Sequence, residues 1–339
     1  MIPLINLLIE KGVEVVLASD GRALRLLEEE YPQLEIIELV SYDVIYSESE
    51  SMFVSMSKQT PKFLNNIRKE HNQIAQIITQ KNINAVISDN RYGAWSDKVP
   101  SIFITHQVFI AIPDHLKILN PIVHKLNHYF INKYDQCWIP DFSGPENLSG
   151  DLSHKKSLPE KKIKFIGPLS RLQPNLDSTD NQKILILLSG PEPHRTRLEE
   201  ILTAEALKID NDVVIICGKT NQPKSIEQIN NIKKVSFATT SEIQKYFDEA
   251  ALIVCRAGYS SIMDLAATGK KAILIPTKGQ TEQEYLAKHL KKNNVYYSNN
   301  QNCINLKSEI QKAKLYTGLR LELKNKILEK IVDEFLRNS

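Results

Sequence analysis

The chain has 339 residues, 42% of them hydrophobic and 24% charged, with a formal net charge of +3. That length accommodates two domains, each with its own core, and so small a charge excess gives no argument for a nucleic-acid partner. No run approaches the roughly 20 apolar residues of a membrane span, no signal-type segment opens the chain, and Cys137, Cys217, Cys255 and Cys303 match no metal spacing, so a cytoplasmic protein with reduced thiols is expected.

The chain opens on an amphipathic helix at 3–11 with no strand before it, whereas a βαβ domain ordinarily begins with a strand. Either the fold starts unusually or residues before Met1 belong to it. Strands are predicted at 14–19, 34–40, 85–89, 101–107, 136–140 and 162–167, with helices at 61–80 and 114–133. Asp89 and His106 each follow an apolar strand, the position at which open α/β sheets bind ligands. A stretch rich in Pro, Asn, Ser and Asp supplies a linker at 169–182 between a first domain, 1–168, and a second, 183–318.

The second domain alternates regularly. Strands at 183–189, 213–218, 235–240, 252–256, 272–277 and 295–298 are separated by helices at 195–208, 241–249, 260–268 and 282–292, the pattern of an α/β fold with a parallel, doubly wound sheet. A long amphipathic helix is predicted within 319–339. The sharpest local signal is Leu252-Ile253-Val254-Cys255-Arg256-Ala257-Gly258-Tyr259-Ser260-Ser261, an apolar strand turning through glycine into a helix that carries Asp264. Free N–H groups at such a helix start suit a phosphate, and Asp264 is placed to meet a ribose hydroxyl. The same residues fit an ordinary capped helix, because Ser260 and Ser261 are capping types and Ser261-x-x-Asp264 is a capping-box spacing.

Together the two Rossmann-like halves, the linker and the terminal helix resemble a GT-B glycosyltransferase, with two Rossmann-like domains facing a cleft. Val254 to Ala267 and Ile275-Pro276-Thr277-Lys278-Gly279-Gln280-Thr281-Glu282-Gln283-Glu284 resemble glycosyltransferase family 28, and within it the MurG-type N-acetylglucosaminyltransferases. The resemblance implies a donor site that includes Arg256, Gly258, Tyr259, Ser260 and Ser261. Asp264 stands where the family has a ribose-binding Glu, one methylene longer. Gln283 and Glu284 stand where the family has a Gln-Gln pair on the donor sugar; Glu284 departs from that pattern and also fits a capping box with Thr281. Arg171 resembles a linker arginine facing the diphosphate, against a solvated surface arginine. Ser189 and Gly190 stand at the phosphate loop, although Pro191 and Pro193 remove two N–H donors there, for which Arg195 is a candidate substitute.

The family's proposed general base, a histidine in a glycine-rich loop, would precede Met1. His106, in a partial match to a His-Glu-Gln sequence, and Asp89 are therefore the catalytic candidates; the other readings are an upstream start and an inactive protein. The implied reaction moves a sugar, N-acetylglucosamine by resemblance, from a UDP-sugar to an acceptor hydroxyl without a cofactor or metal. His124 and His128, four apart on a predicted helix, lack a carboxylate partner between them and are not read as a metal site. Residues 109–113 and the helix after them form either an apolar, basic edge for a lipid-linked acceptor at the membrane or simply core and solvated face. A nucleotide-sugar hydrolase or epimerase and a non-catalytic nucleotide-sugar-binding protein remain as alternatives. A nicotinamide dehydrogenase is disfavoured, because no Gly-x-Gly-x-x-Gly follows a strand.

Overall fold

The computed structural model describes residues 1–42, 59–155, 163–175, 183–220, 222–319 and 326–337. Residues 176–182 of the predicted linker and 320–325 of the predicted terminal helix lie outside them. The chain forms two compact units, one running to Leu169 and taking in the C-terminal helix, the other starting at Ser170.

The first unit contains α1 (Ile2–Glu10), β1 (Leu17–Ser19), α2 (Gly21–Glu30), β2 (Ile36–Glu38), α3 (Thr60–Lys81), β3 (Val86–Asp89), β4 (Ser101–Ile104), α4 (Asn120–Ile131), β5 (Gln136–Ile139) and β6 (Ile163–Phe165). β1 and β2 form a parallel pair, and β3-β4-β5-β6 form a parallel sheet in chain order. β4 lies between two neighbours, and Ile102, Phe103 and Ile104 are essentially inaccessible, as a run covered on both faces should be. Pro3, Pro61 and Pro121 each occupy the first turn of a helix, where the missing N–H is not needed. Pro121 also explains a correction: the helix predicted over 114–133 divides into a 3-10 segment, Asp114–Leu119, and α4.

The second unit continues with β7 (Lys183–Leu187), α5 (His194–Ala206), β8 (Val213–Ile216), β9 (Ile226–Ile229), β10 (Ile232–Val235), α6 (Thr240–Glu249), β11 (Ala250–Cys255), α7 (Tyr259–Thr268), β12 (Lys271–Leu274), α8 (Thr281–Lys292), β13 (Tyr297–Ser298) and α9 (Leu306–Ala313). Its sheet order is β13-β12-β11-β7-β8-β10-β9, parallel except for β9. The strand predicted at 235–240 falls at Ile232–Val235, because Ile232 and Val235 are the buried pair while Thr239 and Glu242 form a reciprocal capping box that draws the next residues into α6. β9 escapes a search for buried strands because it is an exposed edge, folded back on β10 through Asn230 in a left-handed conformation. Asn231 fixes that turn by donating from Nδ2 to the carbonyls of Ala206, Ile209 and Asn211. The terminal helix α10 (Lys326–Leu336) belongs to the first unit, where Phe335 meets the Trp138 ring edge-on.

Candidate functional site

β12, β11 and β7 are adjacent and parallel, so their carboxyl ends bring three turns to one edge of the second unit's sheet. The middle turn leads into α7, whose N-cap is Gly258 with no side-chain cap. Ser260 and Ser261 lie inside the first turn instead of capping it, and the predicted Ser261–Asp264 box does not form. The N-cap residue therefore adds no side-chain acceptor at the positive end of the helix.

Asp264 lies one turn further on, buried, with Oδ1 accepting a hydrogen bond from Ser170 Oγ at 2.7 Å. Burial raises its carboxyl above the usual range, opposed by the Ser170 hydrogen bond and the Arg171 charge. Arg171 is half-buried and donates through Nη1 to Thr240 Oγ1 at the start of α6, 3.3 Å away. Ser170, Arg171 and Asp264 are thus brought together from the linker and α7. Ser170 is the member sequence reasoning passed over, although it sits beside the arginine singled out.

Gln283 and Glu284 both hold the turn after β12. Gln283 Oε1 accepts from the Thr277 amide at 2.9 Å, and Glu284 Oε1 accepts from the Gly279 amide at 2.8 Å. Glu284 therefore bridges to Gly279, not to Thr281. In the turn after β7, Ser189 is exposed and Gly190 adopts a φ of 104°, a conformation that favours glycine. Arg195 does not serve as an open cation there: it is buried, donates to the Cys217 carbonyl at 2.8 Å and pairs with Glu192 and Glu199. Its charge is neutralised internally. Arg256 is wholly buried, with its guanidinium directed at backbone carbonyls rather than at solvent. Tyr259, the first residue of α7, is also buried.

In the first unit, Asp89 ends β3 opposite Ile104, so Asp89 and His106 fall at the same sheet edge. Asp89 reaches solvent, yet protein walls it closely enough that burial raises its carboxyl, with the nearby His106 acting in the opposite sense. Thr105 Oγ1 donates to Asn90 Oδ1 at 3.2 Å and accepts from the Gln107 amide at 3.0 Å, which fixes the turn carrying His106. Behind Asp89, Arg91 ties together Asp20, Glu70 and the Val40 carbonyl. His124 and His128 direct Nε2 to the carbonyls of Ile110 and Val108, and both rings meet Phe109 edge-on. They anchor the 108–110 segment. Next to them Ile118, Ile122, Leu126 and Tyr129 are exposed, interleaved with exposed Lys117 and Lys125.

Residues 194–329 match the glycosyltransferase family 28 C-terminal domain. The chain is 26% identical over 137 residues to a UDP-N-acetylglucosamine--N-acetylmuramyl-(pentapeptide) pyrophosphoryl-undecaprenol N-acetylglucosamine transferase of Caldanaerobacter subterraneus subsp. tengcongensis, a match covering 38% of this chain and 35% of the relative. The matched segment thus spans about a third of that relative's length. Two solved structures superpose along nearly the whole chain. The glycotransferase of kitacinnamycin gives a TM-score of 0.66 at 16% identity, with 98% of this chain and 94% of that one covered. The MurG of Acinetobacter baumannii gives 0.59 at 15%, with 99% and 94% covered. At that identity the likeness concerns the fold. Among the described residues, no helix is long and apolar enough to cross a membrane.

Proposed function

We propose that this chain, a GT-B protein whose residues 194–329 form a glycosyltransferase family 28 C-terminal domain, transfers a sugar from a UDP-sugar to an acceptor hydroxyl. The observation that carries the reading is the convergence of Asp264, Ser170 and Arg171 beside the uncapped start of α7, inside the matched domain and the linker residues leading to it.

In this reading the free oxygen of the Asp264 carboxylate accepts from the ribose, and the amides opening α7 receive the diphosphate, assisted by the Arg171 guanidinium. Ser189 and Gly190 border the phosphates, and the turn braced by Gln283 and Glu284 borders the sugar. The acceptor oxygen bonds to the anomeric carbon, the bond from that carbon to the diphosphate oxygen breaks, and UDP departs with its charge held by helix N-termini and cations, with no metal required. Asp89 or His106 takes the acceptor proton; the raised carboxyl of Asp89 is that of a stronger base than an ordinary aspartate. N-acetylglucosamine is the donor sugar assigned, from the name of the matched relative.

A lipid-linked acceptor is assigned from the apolar, basic surface of Ile118, Ile122, Leu126, Tyr129, Lys117 and Lys125, a composition suited to peripheral contact with an anionic membrane face in the cytoplasm. The test is calorimetry with UDP, followed by product analysis with UDP-N-acetylglucosamine, first alone and then with a polyprenyl-diphosphate-linked sugar. Binding followed by acceptor-dependent release of UDP is expected. Release or epimerisation without acceptor would favour the hydrolase or epimerase, and binding without turnover the non-catalytic protein.

A further inference from the structure

We propose that Arg256 is a positioning residue that holds the turns after β7, β11 and β12 as one assembly, and that the phosphates of a bound nucleoside diphosphate complete its charge. The second clause rests on the donor reading above.

β11 lies between β7 and β12, and Arg256 is the first residue beyond it. The side chain reaches both neighbours. Nη1 donates to the carbonyls of Ile275 and Pro276, each 3.3 Å away where the chain leaves β12, and Nη2 donates to the His194 carbonyl, 2.8 Å away at the start of α5. The planar guanidinium fork reaches the two sides from separate nitrogens, whereas a lysine ammonium would donate from a single one.

The electrostatics of this group are unusual. Arg195 nearby is buried against Glu192 and Glu199, whereas Arg256 is wholly buried among carbonyls, and its Nε, also buried, has no acceptor. Burial alone draws its pKa down to about 10, so it stays charged at neutral pH. A buried cation without a carboxylate is costly, and an apolar side chain of similar volume would pack here without that cost. Three carbonyls offset part of it. A dianion seated at the start of α7, which follows Arg256 along the chain, would offset more through low-dielectric surroundings.

The test compares wild type, Arg256→Lys and Arg256→Met. UDP affinity is expected to fall at least tenfold in Arg256→Met and by less in Arg256→Lys, while affinity for uridine, which has no phosphate, stays the same in all three. In unliganded protein, amide exchange at residues 194–197 and 277–280 is expected to accelerate together in both variants. In wild type, inorganic diphosphate is expected to slow exchange in all three turns together. Equal losses for UDP and uridine, or unchanged UDP affinity in folded Arg256→Met, would overturn the charge assignment. Protection confined to residues 258–262, or exchange unchanged in both variants, would overturn the positioning assignment. If wild type binds no UDP, the donor reading falls and takes the charge assignment with it, and the exchange comparison still decides the positioning. Should Arg256→Met not fold, Arg256→Lys and the wild-type exchange measurement carry the test.

Discussion

At the scale of single residues, Asp264 sets stability against binding. Its carboxyl is raised by burial, so folding favours the neutral form. The stabilisation from that form is complete below the unfolded value of about 3.9 and is lost as pH rises through the higher folded value. Replacing Asp264 with Asn removes the charge while leaving an oxygen for the Ser170 hydroxyl. Asp264→Asn is therefore expected to melt at a higher temperature than wild type at pH 7, with the difference closing as pH approaches 4. UDP binding should weaken by about 1.5–3 kcal/mol, the scale of a hydrogen bond to a charged group. Thermal melts across pH and calorimetry with UDP check the two halves, and a variant neither stabilised nor weakened in binding would remove Asp264 from the donor site.

At the scale of elements, helix α6 depends on a box whose two members are both in place: Thr239 Oγ1 accepts from the Glu242 amide, and Glu242 Oε2 accepts from the Thr239 amide. Thr239→Ala should cost about 1 kcal/mol in chemical denaturation, and Thr239→Ser close to nothing. A loss as large in Thr239→Ser would point to the methyl group instead. This box also shows where sequence reading stops. Buried parallel strands announce themselves as apolar runs, so β7, β8, β11 and β12 were legible from Ile184, Val213, Ile253 and Ile273 and their neighbours. β9 was not, because an exposed edge strand carries no such run. The site divides in the same way. Motif spacing picks out Asp264, Gln283 and Glu284, but their partners, Ser170 and the amides of Thr277 and Gly279, follow from the paths of turns and not from any periodicity. Spacing alone also suggested a Ser261–Asp264 box that a helix starting at Tyr259 does not use.

At the scale of the whole molecule, the chain's path separates what stabilises the first unit from the residues proposed for the donor. After the second unit the chain contributes α10 to the first, burying Val332 and Phe335, setting Asp333 against Lys11 at 2.5 Å and Glu334 against Lys164 at 3.0 Å. Both ion pairs are partly exposed and contribute little, whereas Phe335 against Trp138 is core packing. Phe335→Ala should therefore cost about 3–5 kcal/mol, read as a shifted denaturation midpoint. Every residue assigned to UDP, from Ser170 to Glu284, lies in the second unit. In Phe335→Ala, at temperatures where the second unit stays folded, UDP affinity should accordingly equal that of wild type, while transfer to an acceptor falls with the fraction of first unit still folded. A UDP affinity that declined in step with the loss of stability would show that donor binding draws on the first unit's integrity, and the assignment of the donor to the second unit alone would have to be given up.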